Sequence, residues 1–367
     1  MKILSTSTLL AALCSAATCS AAPHFNLTFL PGTSAQAQQG FIDAAARWSS
    51  LLRDDVSINL TLGFNPLDPG ILGQARSAED FYNYRDYRAA MLSDISSASD
   101  RLAVNHLPLN GFGLLINRTA NNPHGYGSAT PYVDNNGSDN NRTLFLTQAQ
   151  AKALKLPVTP QAVTGCIGAC DGFIQFSSNF TFDFNPRNGI DADAFDFVGV
   201  ASHEIGHTLG FISGVDILDN NAPPHNGPFD DNEFTYVSGL DMFRYSSQSH
   251  AAGVIDWTAD TREKYFSLDG GATQGPPLST GTNFGDGHQA SHWKDNLYIG
   301  LMDPTAGRGE LLRISDNDRL AMDVNGWDLL NPVPEPAQVL LICAGLPILA
   351  AARNKKRKIF RKSTNCH

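Results

Sequence analysis

The most informative stretch of the chain is His203-Glu204-Ile205-Gly206-His207-Thr208-Leu209-Gly210-Phe211. Residues four apart in a helix lie one turn above each other on the same face, so both histidine side chains can reach one cation. Gly210 can end this helix in a left-handed conformation. Apolar residues recur at helical spacing just before the stretch: Phe195, Val198, Val200 and Ala201. We therefore predict a helix that presents His203 and His207 to a single metal ion.

The residue between these histidines indicates which chemistry the metal serves. Nitrogen ligands at this separation suit zinc. Glu204 directly follows the first histidine, so its carboxylate is directed beside the metal ion. There it can take a proton from a water whose pKa zinc lowers to about 7. The pattern HExxH therefore predicts a zinc hydrolase that cleaves peptide bonds. The alternatives are zinc-dependent hydrolysis of another bond, and two surface histidines on an ordinary helix.

A catalytic zinc ion needs a third protein ligand. In metzincins, which share this motif, a His or Asp ligand follows the glycine by three residues. In this sequence that position is Ser213, so the compact form of the motif is excluded. The remaining candidates are residues with imidazole or carboxylate groups further along the chain: Asp216, His225, His250, His288, His292 and glutamates such as Glu233.

Two later segments narrow the choice. His292 stands in Ser291-His292-Trp293, and ten residues later Leu301-Met302-Asp303-Pro304-Thr305 is typical of a tight turn that carries a methionine. Together with HExxHxxGF, these segments resemble the leishmanolysin-like metzincins, over about residues 195–330. The resemblance implies that His292 is the third zinc ligand and that Met302 forms the floor beneath the zinc ion. It also implies an α+β zincin fold with a twisted mixed sheet, an active-site helix and a C-terminal subdomain that carries the Met-turn. Independently of the resemblance, Asp216 is the next candidate ligand.

The rest of the body is consistent with an α+β class. Residues 25–30 and 57–64 alternate in polarity, and apolar residues recur at helical spacing over 36–52, which predicts strand, helix, strand. We also predict, from periodicity and turn residues, a helix over about 79–102, an exposed loop over 117–143, a strand at 172–176 and a helix over 315–326. We expect the strand at 172–176 to form the sheet edge, to which a peptide substrate adds as an extra strand.

Four aspartates precede the metal-binding helix: Asp183, Asp191, Asp193 and Asp196. We expect Asp191 or Asp193 to cap the helix, where a carboxylate meets free backbone N–H groups. A calcium loop is the alternative, although the spacing does not match a standard loop.

The cysteines indicate one short disulfide. Cys14 and Cys19 lie in the predicted signal peptide, and Cys343 and Cys366 lie near the C-terminus. The pair left in the body, Cys166 and Cys170, is expected to form a local disulfide in an oxidising compartment. A metal knuckle is the alternative.

The amino terminus predicts export. Residues 1–22 have a basic start, a short apolar middle and a small-residue cleavage site, which together are typical of a secretory signal peptide. Eight of the 26 Lys and Arg lie in this peptide and in the C-terminal tail, which leaves 18 bases against 36 acids between them. This acidic balance argues against nucleic acid as a partner.

The C-terminus has three parts, namely Pro334-Glu335-Pro336 within a proline-rich linker (332–336), an apolar segment (337–352) and a basic tail (353–367). They resemble the PEP-CTERM sorting signal of Gram-negative bacteria, which a membrane peptidase, the exosortase, processes. The apolar segment covers about 24 Å as a helix, against a hydrocarbon core of roughly 30 Å, so it spans only if the flanking bases snorkel. A buried C-terminal helix is the alternative. The resemblance implies transient anchoring in the inner membrane, followed by transfer to the cell surface or extracellular matrix.

The sequence therefore predicts one catalytic domain, residues 23–331, of a secreted zinc endopeptidase acting on protein or peptide substrates. The rival class is a non-catalytic matrix or adhesion protein that retains a zinc-binding fold. The enzyme is favoured, because structural zinc normally has four protein ligands and does not require an adjacent glutamate.

Overall fold

The computed structural model describes residues 21–223 and 227–330. His225, the linker at 332–336, the apolar segment at 337–352 and the basic tail at 353–367 lie outside the described residues, as does the predicted signal peptide apart from its last two positions. In the described part of the chain, no helix has the length and apolar character needed to cross a membrane.

The described residues form a mixed α+β structure with several small sheets. The helices are α1 (Ala35–Ser49), α2 (Tyr84–Asp94), α3 (Ala98–His106), α4 (Gln148–Ala153), α5 (Phe197–Thr208), α6 (Val215–Leu218), α7 (Ser247–Ala252) and α8 (Asp316–Val324). The strands are β1 (His24–Phe29), β2 (Ser57–Asn65), β3 (Gly73–Ser77), β4 (Glu79–Asn83), β5 (Leu114–Ile116), β6 (Tyr132–Asp134), β7 (Thr143–Thr147), β8 (Gly172–Ser177), β9 (Phe182–Asp183), β10 (Phe195–Asp196), β11 (Arg244–Tyr245), β12 (Ile255–Asp256), β13 (Lys264–Phe266) and β14 (Pro277–Leu278).

The predicted strand, helix, strand opening is confirmed by β1, α1 and β2. Strands β1 and β2 are parallel neighbours, as expected when a helix connects them. Ser34 caps α1 by accepting the backbone N–H of Ala37 at 3.2 Å. The indole N–H of Trp48 at the other end donates to the Ser202 carbonyl at 2.8 Å, which fixes α1 directly against α5.

The main sheet has the strand order β1-β2-β8-β3. Its first three strands are parallel, and β3 pairs antiparallel with β8. The expectation that 172–176 forms the sheet edge is therefore wrong. Strand β8 is interior because Phe173, Ile174 and Phe176 bury apolar groups on both of its faces. The polar strand β3 is the edge, next to α5.

The structure corrects two further expectations. The predicted helix over 79–102 begins instead with β4, which pairs with β7, and then divides into α2 and α3. The predicted exposed loop at 117–143 is exposed around 123–126 but includes the short strand β6, and the side chains of Asn117, Asn140 and Asn141 are buried and donate to backbone carbonyls. In this segment the asparagine side chains hydrogen-bond to buried backbone carbonyls, so a high asparagine content does not indicate solvent exposure here.

The predicted C-terminal helix is confirmed as α8. Ser315 and Asp318 form a capping box at its start, and Gly326 follows its end at φ +98°. The capping residues in the sequence therefore predict both ends of this helix.

Candidate metal centre

Helix α5 carries the HExxH stretch and is buried along most of its length. Asp196 caps it by accepting the Gly199 N–H at 2.8 Å, and its other oxygen accepts the Leu312 N–H at 3.1 Å. The expectation that Asp191 or Asp193 caps the helix is wrong, because the helix begins directly after Asp196 and both other aspartates are exposed. Gly210 turns the chain away at φ +112°.

Three histidine side chains converge beside this helix. The Nε2 atom of His207 lies 3.0 Å from Nε2 of His203 and 3.2 Å from Nε2 of His292, and the third distance is 3.3 Å. His292 comes from a loop 85 residues further along the chain. Among the described residues, these three form the group whose ligand atoms lie close enough together to hold a metal ion.

The opposite nitrogens of the rings determine where the ring protons lie. The Nδ1 atoms of His203, His207 and His292 face the backbone carbonyls of Leu301, Phe211 and Gln289, at 2.9, 2.7 and 3.2 Å. A carbonyl oxygen only accepts, so each Nδ1 carries the proton and each neutral ring presents a bare lone pair at Nε2. Three lone pairs at 3.0–3.3 Å repel one another unless a cation lies between them.

Burial keeps these rings neutral. It lowers the pKa of His203, although the Leu301 carbonyl and the charge of Asp318 act in the opposite direction. Burial and the charge of His203 together lower the pKa of His207 to about 3. The pKa of His292 lies well below its ordinary value for the same reasons. The three rings are therefore neutral near neutral pH, each with an unprotonated Nε2 that could bind a metal ion.

Glu204 lies between these histidines and the edge strand. A Cβ atom on Gly73 of β3 would lie 3.3 Å from its Oε1 atom. Burial raises the pKa of Glu204 to about 8, and a cation held by the histidines would lower it again by favouring the carboxylate. Glu204 and the three histidines all line one cleft of about 1480 Å³, and β3 forms part of its wall.

Met302 packs directly against the helix. Its side chain is fully buried, and a Cβ atom on Gly206 would lie 2.6 Å from its sulfur. The Met302 carbonyl accepts the backbone N–H of Trp293 at 2.9 Å, which joins the methionine turn to the residue after His292.

Asp318 at the start of α8 connects the two loops that hold the histidines. Its carboxylate accepts the Trp293 indole N–H at 2.8 Å and the backbone N–H groups of Leu301 and Met302 at 2.6 and 3.2 Å. No pattern in the sequence indicates this role, because the residues around Asp318 predict only a helix cap.

Asp216 holds the backbone of the His292 loop. One of its oxygens accepts the Ala290 N–H at 2.5 Å, and the Ser291 side chain donates to it as well. Burial raises the pKa of Asp216 to about 6. Among the described residues, its carboxylate does not belong to the group that could hold a metal ion. The geometry therefore does not support Asp216 as a zinc ligand.

The other candidate ligands have partners of their own. His250 faces the Gly270 carbonyl, His288 pairs with Asp295, and Glu233 accepts the backbone N–H of Asp230. Cys166 and Cys170 are joined as a disulfide, in the same loop as the cleft residues Val163 and Thr164.

Comparisons with known proteins give no further assignment. No protein-family model, curated protein or solved structure matches the chain.

Proposed function

We propose that this protein is a zinc-dependent endopeptidase of metzincin-like type. The observation that carries the proposal is the convergence of three Nε2 lone pairs, with every Nδ1 bonded to a carbonyl, beside a carboxylate in an open cleft.

The donor set fits zinc. Zn–N bonds of 2.0–2.1 Å in tetrahedral geometry separate the ligand nitrogens by about 3.3 Å, which is close to the 3.0–3.3 Å between these Nε2 atoms. Three protein ligands in a cleft suit a catalytic centre, since structural zinc takes a fourth from the protein. We therefore favour an enzyme over a non-catalytic matrix or adhesion protein that retains the zinc fold.

Zinc held there supplies a Lewis acid to the attacking water and to the scissile carbonyl. Glu204 acts as general base: its carboxylate accepts a proton from the water as the new C–O bond forms at the carbonyl carbon. It then donates that proton to the leaving nitrogen as the C–N bond breaks. His203, His207 and His292 keep the protonation state described above throughout, because their Nδ1–H groups stay hydrogen-bonded to the carbonyls.

A polypeptide is the substrate class that suits the cleft. Among the described residues, strand β3 pairs only with β8, so its other edge is available to a peptide backbone that adds as an extra strand. Gly73 at its start is adjacent to Glu204, which brings such a backbone to the general base. The metzincin-like assignment rests on the resemblance of the sequence, supported by Met302 beneath α5.

We propose further that the protein is exported, with an exosortase acting on its tail and a surface or matrix destination. The disulfide between Cys166 and Cys170 is consistent with an oxidising compartment. Calcium binding at the aspartates before α5 stays a prediction.

The substitution Glu204→Gln tests the proposed activity. It removes the base while leaving all three histidines, so we expect one zinc ion per chain and hydrolysis of an unfolded protein substrate reduced by at least roughly 100-fold. Zinc content and proteolysis are measured on the same preparation. Undiminished hydrolysis, or a wild-type protein that binds zinc and cleaves no polypeptide, would overturn the proposal.

A further inference from the structure

The ladder formed by β4 and β7 has two unlike faces. Its inner face carries Leu144 and Leu146, both fully buried. Its outer face carries the pairs Glu79 with Thr147 and Phe81 with Phe145. Phe81 is 48% exposed, so its ring can be contacted from outside the protein.

Phe81, Phe145 and Tyr236 form a cluster that we name the aromatic platform. Its ring centroids lie 5.2 Å (Phe81 to Phe145), 5.3 Å (Phe145 to Tyr236) and 5.6 Å (Phe81 to Tyr236) apart. Phe145 and Glu79 line the cleft that contains the three histidines. The platform is therefore continuous with the candidate active site.

Glu79 lies at one end of this platform with an uncompensated charge. Its carboxylate is half-buried, and within residues 21–223 and 227–330 it has no hydrogen bond and no ion pair, not even with nearby Arg76. Burial raises its pKa to about 7. Its backbone carbonyl accepts the side-chain N–H of Gln161 at 3.2 Å, which holds the loop with Val163 and Thr164 beside it.

A carboxylate next to exposed rings is complementary to one type of side chain. The aliphatic part of lysine or arginine packs on aromatic rings, its cation is attracted to their faces, and its charge pairs with the carboxylate. A substrate cation would therefore supply the partner that Glu79 lacks.

We propose that Glu79 and the aromatic platform form a subsite for a lysine or arginine side chain of the polypeptide substrate. The proposal rests on the proposed peptidase function and adds a substrate preference to it. Glu79, at the start of β4, lies six residues beyond Gly73 at the start of β3, which at about 3.3 Å per residue is at most roughly 20 Å of chain. The basic residue is therefore at most about six residues from the scissile bond.

An arginine scan tests this subsite. Quenched fluorescent peptides share one cleavage sequence and carry a single arginine at each of six positions on either side of the bond. With the zinc-loaded full chain, we expect kcat/KM to rise roughly five- to tenfold at one distal position, through a lower KM. Glu79→Gln should abolish this gain, and Glu79→Arg should transfer it to a glutamate at the same position.

Asp80 provides the matched control. It is the next residue on β4, on the opposite side of the ladder, and its carboxylate accepts its neighbour's backbone N–H at 2.8 Å. Asp80→Asn removes the same charge, so we expect it to retain the arginine gain. The subsite would be overturned if no arginine position raised kcat/KM in the wild type. It would also be overturned if Asp80→Asn and Glu79→Gln lost the arginine gain equally.

Two readouts separate this proposal from the proposed activity. If the wild type and Glu79→Gln cleave the arginine-free peptide equally well and no arginine position raises kcat/KM, the subsite is refuted. The proposed peptidase activity is not refuted by that result. Calorimetric binding of the same peptides to Glu204→Gln compares them without catalysis. Tighter binding of the arginine peptide that depends on Glu79 would support the subsite even if no cleavage occurred.

Discussion

The carboxylate of Asp318 accepts the indole N–H of Trp293 at 2.8 Å, and this bond ties the start of α8 to the residue after His292. The same carboxylate accepts the Leu301 N–H, and the Leu301 carbonyl in turn accepts the Nδ1 proton of His203. One buried acid therefore orients the supports of two histidines from different parts of the chain. Partners of this kind fix the ring orientation of metal ligands.

Asp318→Asn should weaken zinc binding by roughly 10- to 100-fold. The amide offers one accepting oxygen where the carboxylate offers two, and it turns N–H groups toward the N–H donors around it. The loop of Leu301 and the loop of His292 then lose their common anchor. Zinc affinity is measured by competition with a chelator on the folded protein.

Asp241→Asn is the matched control for that measurement. Asp241 is also a buried carboxylate that accepts an indole N–H, from Trp257 at 3.0 Å, and a backbone N–H, from Gly214 at 2.9 Å. Since its partners are not supports of the histidines, we expect lower stability with unchanged zinc affinity. Equal losses of affinity in both variants would show that general destabilisation, and not anchoring by Asp318, is responsible.

Gly206→Ala should lower the free energy of unfolding by roughly 1–3 kcal/mol. The added Cβ atom would lie 2.6 Å from the sulfur of Met302, in a site without free space. Urea unfolding of the protein measures the effect. The double variant with Met302→Ala should lose less than the sum of the two single variants, because the shortened side chain makes room. Strict additivity would mean that the methionine does not pack beneath this helix.

The stability of the protein should depend on pH through Asp323. Its side chain is buried, one oxygen accepts the Ser97 hydroxyl at 2.7 Å, and the other has no hydrogen-bond partner among the described residues. Burial, together with the negative charge of Asp100, raises the pKa of Asp323 to about 7. The folded state thus retains a proton that the unfolded chain releases near pH 4, so this contribution to stability is complete below about pH 4 and is lost as the pH rises through about 7.

Asp323→Asn mimics the protonated acid at every pH. Between pH 5 and pH 8, its free energy of unfolding should fall by roughly 1–3 kcal/mol less than that of the wild type. Urea titrations at several pH values give the comparison, and Asp316→Asn, on the exposed side of the same helix, should follow the wild type. Parallel curves for Asp323→Asn and the wild type would refute the role of Asp323.

Local signals in the sequence predicted local features well. The spacing of His203 and His207, the capping residue Ser315 and the alternation of β1 and β2 act within a few residues, and the structure has the helices and strands they predict. The mixed α+β class followed from these elements. The convergence of His292 on α5 is expected from the resemblance alone, because no sequence pattern in the 85 residues after His207 indicates that the chain returns to α5.

Features that depend on tertiary partners could not be derived in this way. Strand β8 was expected at the edge, since nothing near 172–176 indicates that the short polar strand β3 would cover it. Composition does not fix where a helix begins, so the sequence favours Asp191 or Asp193 as the cap, whereas the structure has Asp196. Glu79 was assigned to a helix, because its pairing with β7 joins residues far apart in the sequence.

The zinc content and zinc affinity of the purified protein, measured for the wild type, His292→Ala and His250→Ala, show whether His292 helps to hold a zinc ion. We expect one zinc ion per chain in the wild type, and an affinity at least roughly 100-fold lower in His292→Ala. His250→Ala should match the wild type, because that ring is exposed and bonded to Gly270. An unchanged stoichiometry and affinity in His292→Ala, or a wild type without zinc, would contradict the account.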